Sequence, residues 1–112
     1  MTAPTVLAVP ILRVADVDAS LAWWGRLGFV EEFRHVFEPG LPRFVGLVRE
    51  GCRVYPSEHV GDAAGPSLVY LWVPDVDAVA AELGVEVATM EGARECEVVD
   101  PDGNRVRVAT AV

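Results

Sequence analysis

The sequence predicts an α+β fold made of one supersecondary unit used twice, and two observations carry that prediction. The first is an internal repeat: Val14-Ala15-Asp16-Val17-Asp18-Ala19 returns as Val73-Pro74-Asp75-Val76-Asp77-Ala78. The second is the order of elements around each copy. An apolar, strand-like run comes before each one, Val6 to Val14 in the first and Leu68 to Val73 in the second. A helical stretch follows, ending at Leu27-Gly28 and at Leu83-Gly84. Asp16 and Asp75 are suited to cap these helices, because a carboxylate there accepts the free N–H groups of the first turn. The glycines suit the left-handed position after a helix. Farther on, Gly51-Cys52-Arg53-Val54-Tyr55 corresponds to Gly103-Asn104-Arg105-Val106-Arg107, and Asp100-Pro101-Asp102-Gly103 is a strong turn. Each half therefore reads strand, helix, strand, strand, strand. The predicted organisation is a single domain over 1–112, with one module at about 5–57, a linker at 58–66 and a second module at about 67–110.

Composition narrows the function classes. The chain has 112 residues, 52% of them hydrophobic, and a net charge of -8, which fits a globular domain and disfavours nucleic acid as a partner. No apolar run approaches the roughly 20 residues of a membrane span. The first residues lack the charged and apolar segments of a signal peptide, so a soluble, cytoplasmic protein is expected. Cys52 and Cys96 form no CxxC pair and have no histidine at ligand spacing; they read as reduced thiols in strands.

Three stretches carry a family resemblance: Pro10-Ile11-Leu12-Arg13-Val14-Ala15-Asp16, Ser20 to Phe29 with its Trp23-Trp24 pair, and Asp100-Pro101-Asp102-Gly103-Asn104. The chain resembles the glyoxalase/bleomycin resistance/dioxygenase (vicinal oxygen chelate) superfamily. Within it, Phe44 to Glu50, Val54 to Ser57, Leu71-Trp72-Val73 and Arg94-Glu95 are most similar to bleomycin resistance proteins. The resemblance implies two βαβββ modules, each a curved sheet backed by a helix, together forming a concave cavity. It also implies a homodimer whose interface forms the ligand clefts, with the N-terminal strand open to exchange between subunits.

Metalloenzymes of that superfamily place ligands at four points, and by the resemblance these fall on Val9, Tyr55, Leu68 and Arg107. Valine and leucine have no donor atom, tyrosine is a poor ligand at neutral pH and arginine brings a repelling cation. No metal and no cofactor is therefore expected. If these four face the cavity, strand alternation adds Ile11, Arg13, Arg53, Ser57, Tyr70, Trp72 and Arg105. The opposite parity, Leu12, Val14, Val54, Val69, Leu71, Val73, Val106 and Val108, is wholly apolar and suits the core. Trp23 and Trp24, adjacent on a helix, read as packing residues.

The expected site is a ligand-binding one: Phe33, Phe37, Phe44, Tyr55, Tyr70, Trp72 and Arg107. Rings and guanidinium groups stack on flat ligands, and arginine also takes carboxylate or phosphate. Phe44 matches an aromatic that stacks on the drug in bleomycin resistance proteins. The surface glutamates Glu31, Glu32, Glu38, Glu58, Glu91, Glu95 and Glu97 are expected to be solvated, some as an acidic rim. The resemblance has two departures: Met90 to Arg94 holds no tryptophan where bleomycin resistance proteins have a second stacking wall, and the connection after the second helix, Gly84 to Ala88, is shorter. The partner implied is a small planar or cationic antibiotic-like ligand held by sequestration, with no catalytic residue. The alternatives are a metal-independent lyase or isomerase using Tyr55, Tyr70 or His35 as acid or base, and a metabolite-binding accessory protein.

Overall fold

A computed structural model describes residues 5–112. The first module runs β1 (Ile11–Arg13), α1 (Val17–Gly25), β2 (Val30–His35), β3 (Phe44–Arg49) and β4 (Cys52–Ser57). The second runs β5 (Leu68–Trp72), α2 (Val76–Leu83), β6 (Ala88–Met90), β7 (Ala93–Val99) and β8 (Arg105–Ala111). Each module makes a four-stranded sheet, in the order β1-β4-β3-β2 and β5-β8-β7-β6. The repeat extends to register. Ile11 lies beside Tyr55 and Leu12 beside Pro56 in one parallel pair; Tyr70 lies beside Arg107 and Leu71 beside Val108 in the other. Two repeated βαβββ modules in an α+β fold are thus present.

Two expected boundaries move. The first strand is three residues long, not nine: Val6 and Leu7 are exposed, and pairing with β4 begins only where the Pro10 carbonyl accepts from the Tyr55 N–H, with the strand itself starting at Ile11. The first helix stops at Gly25, and a turn over residues 26–28 follows, in which Gly28 takes a left-handed conformation (φ +89°). The second helix ends as expected, with Gly84 as a left-handed cap. Asp16 accepts from the N–H of Asp18 at 2.8 Å and of Ala19 at 3.4 Å, and Asp75 from that of Ala78 at 3.2 Å. Helices this short are marginal alone and draw their stability from packing. α1 lies on β2, β3 and β4, and α2 on β7 and β8.

The core follows the apolar parity. Leu12, Val14, Val54, Leu71, Val73, Val106 and Val108 are buried with Trp24, Phe29 and Leu47 in a cluster that spans both modules. Trp24 is fully covered, and Trp23 packs against the same cluster. Ser57, expected on the cavity face, is also fully covered: its hydroxyl donates to Asp62 at 2.6 Å and accepts from the His59 N–H, so the segment after β4 closes over it.

Two polar hubs tie the elements together. Asn104 is completely buried in the turn between β7 and β8. Its side chain accepts from the Ser67 N–H at 2.8 Å and donates to Asp100 at 2.9 Å and to the Arg13 carbonyl of the first module at 3.2 Å. The other hub is Glu58, which accepts from the backbone N–H groups of Val17 and Arg43, both at 2.9 Å, and from the Arg43 guanidinium at 2.8 Å. Burial pushes the Glu58 carboxyl up, but the Arg43 guanidinium and these two N–H groups outweigh it and hold the group below its ordinary value of 4.5. A carboxylate with a depressed folded pKa stabilises the fold above its unfolded pKa, and that contribution fades as pH falls through the folded value. We therefore expect the urea midpoint to drop on acidification from about pH 6 to 3. The drop will be shallower in Glu58→Gln; equal slopes would remove Glu58 from this role.

Candidate ligand-binding faces

Each sheet turns one face to its helix and leaves the other open, and the expected site residues divide between the two open faces. On the first sheet, Phe33, His35, Phe44 and Tyr55 form a continuous wall. Phe33 and Phe44 are stacked with centroids 6.1 Å apart; Tyr55 meets Phe33 edge-on at 5.3 Å and Phe44 at 5.6 Å. His35 lies over Phe44 at 6.2 Å. Phe37 is not part of this wall. It follows β2, is 73% exposed, and stands 6.4 Å from both His35 and His59. His35, Phe37, Phe44, His59 and Asp62 line an open depression of about 300 Å³.

The flatness of this wall has a local cause that sequence reading missed. A β-bulge between Glu31 and Phe33 leaves Glu32 as the extra residue and sets Phe33 opposite Gly46 of β3. The Phe33 ring lies on Gly46: a Cβ built there would sit 2.6 Å from Cδ1 and Cζ of the ring. Gly46 is thus the seat of Phe33. The signal in the sequence is a glycine inside an apolar strand, which commonly marks a close approach. Glu32, displaced by the bulge, takes Arg53 in a two-pronged pair at 2.9 and 2.8 Å.

On the second sheet the face holds Leu68, Tyr70, Trp72, Arg105 and Arg107. Tyr70 and Trp72 have ring centroids 5.2 Å apart, and Trp72 is 59% exposed. The Tyr70 hydroxyl donates to Glu95 at 2.6 Å, and that bond raises its pKa above the ordinary phenol value. Arg105 and Arg107 both donate to Glu97, at 3.3 and 3.2 Å. Between the modules, a cavity of about 280 Å³ is lined by Val9, Pro10, Trp24, Arg53 and Tyr70, among others.

Glu31, Glu32, Glu58, Glu95 and Glu97 each have a hydrogen-bonded partner within the fold, and only Glu38 and Glu91 are exposed without one. Val9, Tyr55, Leu68 and Arg107 do not fit a divalent cation, since two have no donor atom and Arg107 is a cation already paired to Glu97. Among the described residues, no three His, Cys, Asp or Glu side chains are grouped to hold a metal ion. Nor is any described helix long and apolar enough to cross a membrane.

The fold and these faces define a class: a paired-module protein whose open sheet faces present aromatic rings and arginines. A family model described as glyoxalase superfamily protein matches residues 5–112, and the chain belongs to that superfamily. Solved structures agree on the fold. A bleomycin-binding protein complexed with bleomycin aligns with TM-score 0.72 and 22% identity over 96% of this chain and 100% of that one. A glyoxylase/bleomycin resistance protein/dioxygenase domain from Frankia sp. EAN1pec gives 0.77 and 17% over 99% and 94%. A lactoylglutathione lyase from Agrobacterium tumefaciens gives 0.71 and 17% over 96% and 95%. No curated protein matches the sequence. At these identities the likeness is one of fold, and it includes both binding proteins and enzymes.

Proposed function

We propose that this chain is a metal-independent small-molecule binding protein of the cytosol that confers resistance by sequestering a planar antibiotic, of the bleomycin type or another. The observation that carries this reading is the wall of Phe33, Phe44 and Tyr55, with Phe37 beside it, and the exposed Tyr70-Trp72 pair on the second sheet. Offset or edge-on contacts to rings are worth about 0.5–1.5 kcal/mol each beyond burial, so several together hold a flat ligand without any bond-making step. The unsuitable donor set at Val9, Tyr55, Leu68 and Arg107 favours binding over metal-assisted turnover. A homodimer in which the faces of two copies enclose the ligand suits the openness of both walls. The bleomycin-binding relative supports a small-molecule ligand at this fold.

Intrinsic tryptophan fluorescence tests the proposal, with metal-free and copper-loaded bleomycin and a panel of planar antibiotics as titrants. We expect saturable quenching reported by Trp72 at about one ligand per chain. Phe44→Ala should weaken it about tenfold, the scale of a lost stacking contact. Recovered ligand should be chemically unchanged. Silence across the panel would reject sequestration, and a modified product would move the assignment to a metal-independent enzyme.

A further inference from the structure

We propose that Arg105 and Arg107 form an oxyanion-docking point on the second sheet, so that the ligand of this protein is a planar molecule bearing a carboxylate or phosphate. The proposal rests on the ligand-binding reading above and adds the chemical class of the ligand. It begins with how the nine arginines are partnered. Arg26, Arg34, Arg43, Arg49, Arg53 and Arg94 each have at least one carboxylate that no other arginine touches. Arg13 donates to the Val60 carbonyl. Arg105 and Arg107 alone share a single carboxylate, that of Glu97. In a chain of net charge -8, two guanidinium groups sharing one carboxylate thus stand side by side on an open face, where Arg13 without a carboxylate stands singly.

The hydrogen-bonding capacity left over points the same way. Arg107 reaches Glu97 through Nε and Arg105 through Nη1; among the described residues the other N–H groups of the two guanidinium groups meet no acceptor. A guanidinium offers five donors in a planar fork that matches carboxylate and phosphate. Glu95, the other carboxylate nearby, is engaged with the Tyr70 hydroxyl and makes no ion pair among the described residues.

Register supplies the rest of the site. Across the sheet, Tyr70, Arg107 and Glu97 form one row, Leu68, Arg105 and Val99 the next, and Trp72, Ala109 and Glu95 the row on the other side. Ala109 is small and fully covered, leaving the Tyr70 and Trp72 rings as the flat platform. A planar body on that platform places an acidic substituent one strand away, about 4.8 Å, over Arg107. Because these are adjacent strands, the platform and the anchor are held in fixed relation before any ligand arrives.

The test uses the intact chain with 2-naphthoate, its uncharged isostere 2-naphthamide, and 2-naphthyl phosphate, read by tryptophan fluorescence at neutral pH and low salt. We expect the naphthoate to bind about tenfold more tightly than the amide, with the preference shrinking as salt is added. Comparison with the phosphate identifies the preferred acid. The Arg105→Met/Arg107→Met double variant should bring the acid and the amide within about twofold of each other. Glu97→Gln is the sharper variant, because it frees both guanidinium groups: acid affinity should rise roughly threefold while the amide is unmoved. A structural role for Glu97 alone would lower both. Equal affinity for acid and amide, with saturation intact, overturns the oxyanion site and leaves the binding face. No saturation by any of the three at millimolar concentration overturns the oxyanion site too; only silence from the planar antibiotics as well would reject the binding reading beneath it.

Discussion

Asn104→Ala will lower the unfolding free energy by about 3 kcal/mol, measured by urea denaturation followed by circular dichroism. The side chain is completely buried and serves three partners: the Ser67 N–H, the Asp100 carboxylate and the Arg13 carbonyl. Removing it does not simply delete three bonds of modest net value. It leaves a buried donor and two acceptors without water, and each such orphan costs about 1–3 kcal/mol. One partner, Asp100, lies in the turn and also holds the N–H groups of Asp102 and Asn104, and Ser67, just before β5, belongs to the same module. The third crosses to the first module, so the same substitution loosens the docking of the two repeats. Asp102→Ala is the internal comparison. Asp102 also reaches across, accepting from the Ala15 N–H at 2.8 Å, but at an exposed position where water can replace it. That change should cost less than about 1 kcal/mol. If Asn104→Ala cost no more than Asp102→Ala, the buried turn would not be what joins the modules.

The contrast between Asn104 and Gly46 separates what is legible in the amino-acid sequence from what is not. The Asp-Pro-Asp-Gly-Asn run marks a turn by composition, and the repeated Val-x-Asp-Val-Asp-Ala announces two equivalent units, because caps and turns are local chemistry. Strand parity separates the core set, Leu12 to Val108, from the open-face set almost without error, since alternation is a property of the backbone. It fails where a residue's surroundings are set by distant chain. Ser57 has the parity of the open face, yet the segment after β4 covers it. Val6 and Leu7 have the apolar pattern of a strand, but among the described residues no strand is paired with them. Glu58 looks like any surface glutamate in sequence; only folding brings Val17 and Arg43 to it. The bulge between Glu31 and Phe33 shifts register by one residue, so that adjacent Glu32 and Phe33 both meet open-face partners, Arg53 and Gly46, an event that strict alternation cannot foresee.

Gly46→Ala should damage the candidate site more than any substitution of a ring-bearing residue. The added methyl would fall within the Phe33 ring, with Gly46 itself buried and the ring hemmed by Phe44 and Tyr55. Two effects oppose each other. Replacing a strand glycine by alanine restricts the unfolded chain and is worth about 0.4–1 kcal/mol in favour of folding. Overpacking a fitted contact costs about 1–3 kcal/mol. The second is larger, so we expect a net loss of about 1–2 kcal/mol in urea unfolding. The larger consequence is geometric. Phe33 cannot stay flat on β3; it must swing away from the sheet and break its stack with Phe44. Ligand affinity on this face should then fall at least about tenfold, read in the same fluorescence titration. Phe33→Ala supplies the control. Alone it removes one ring from the wall, but combined with Gly46→Ala it removes the clash, so the double variant should be more stable than Gly46→Ala alone. Coupling of that sign between adjacent residues identifies Gly46 as the seat of the ring. Strict additivity, with the stability of Gly46→Ala unchanged from the parent, would mean that Phe33 is free to relocate and that the wall is less fixed than its stacking distances indicate.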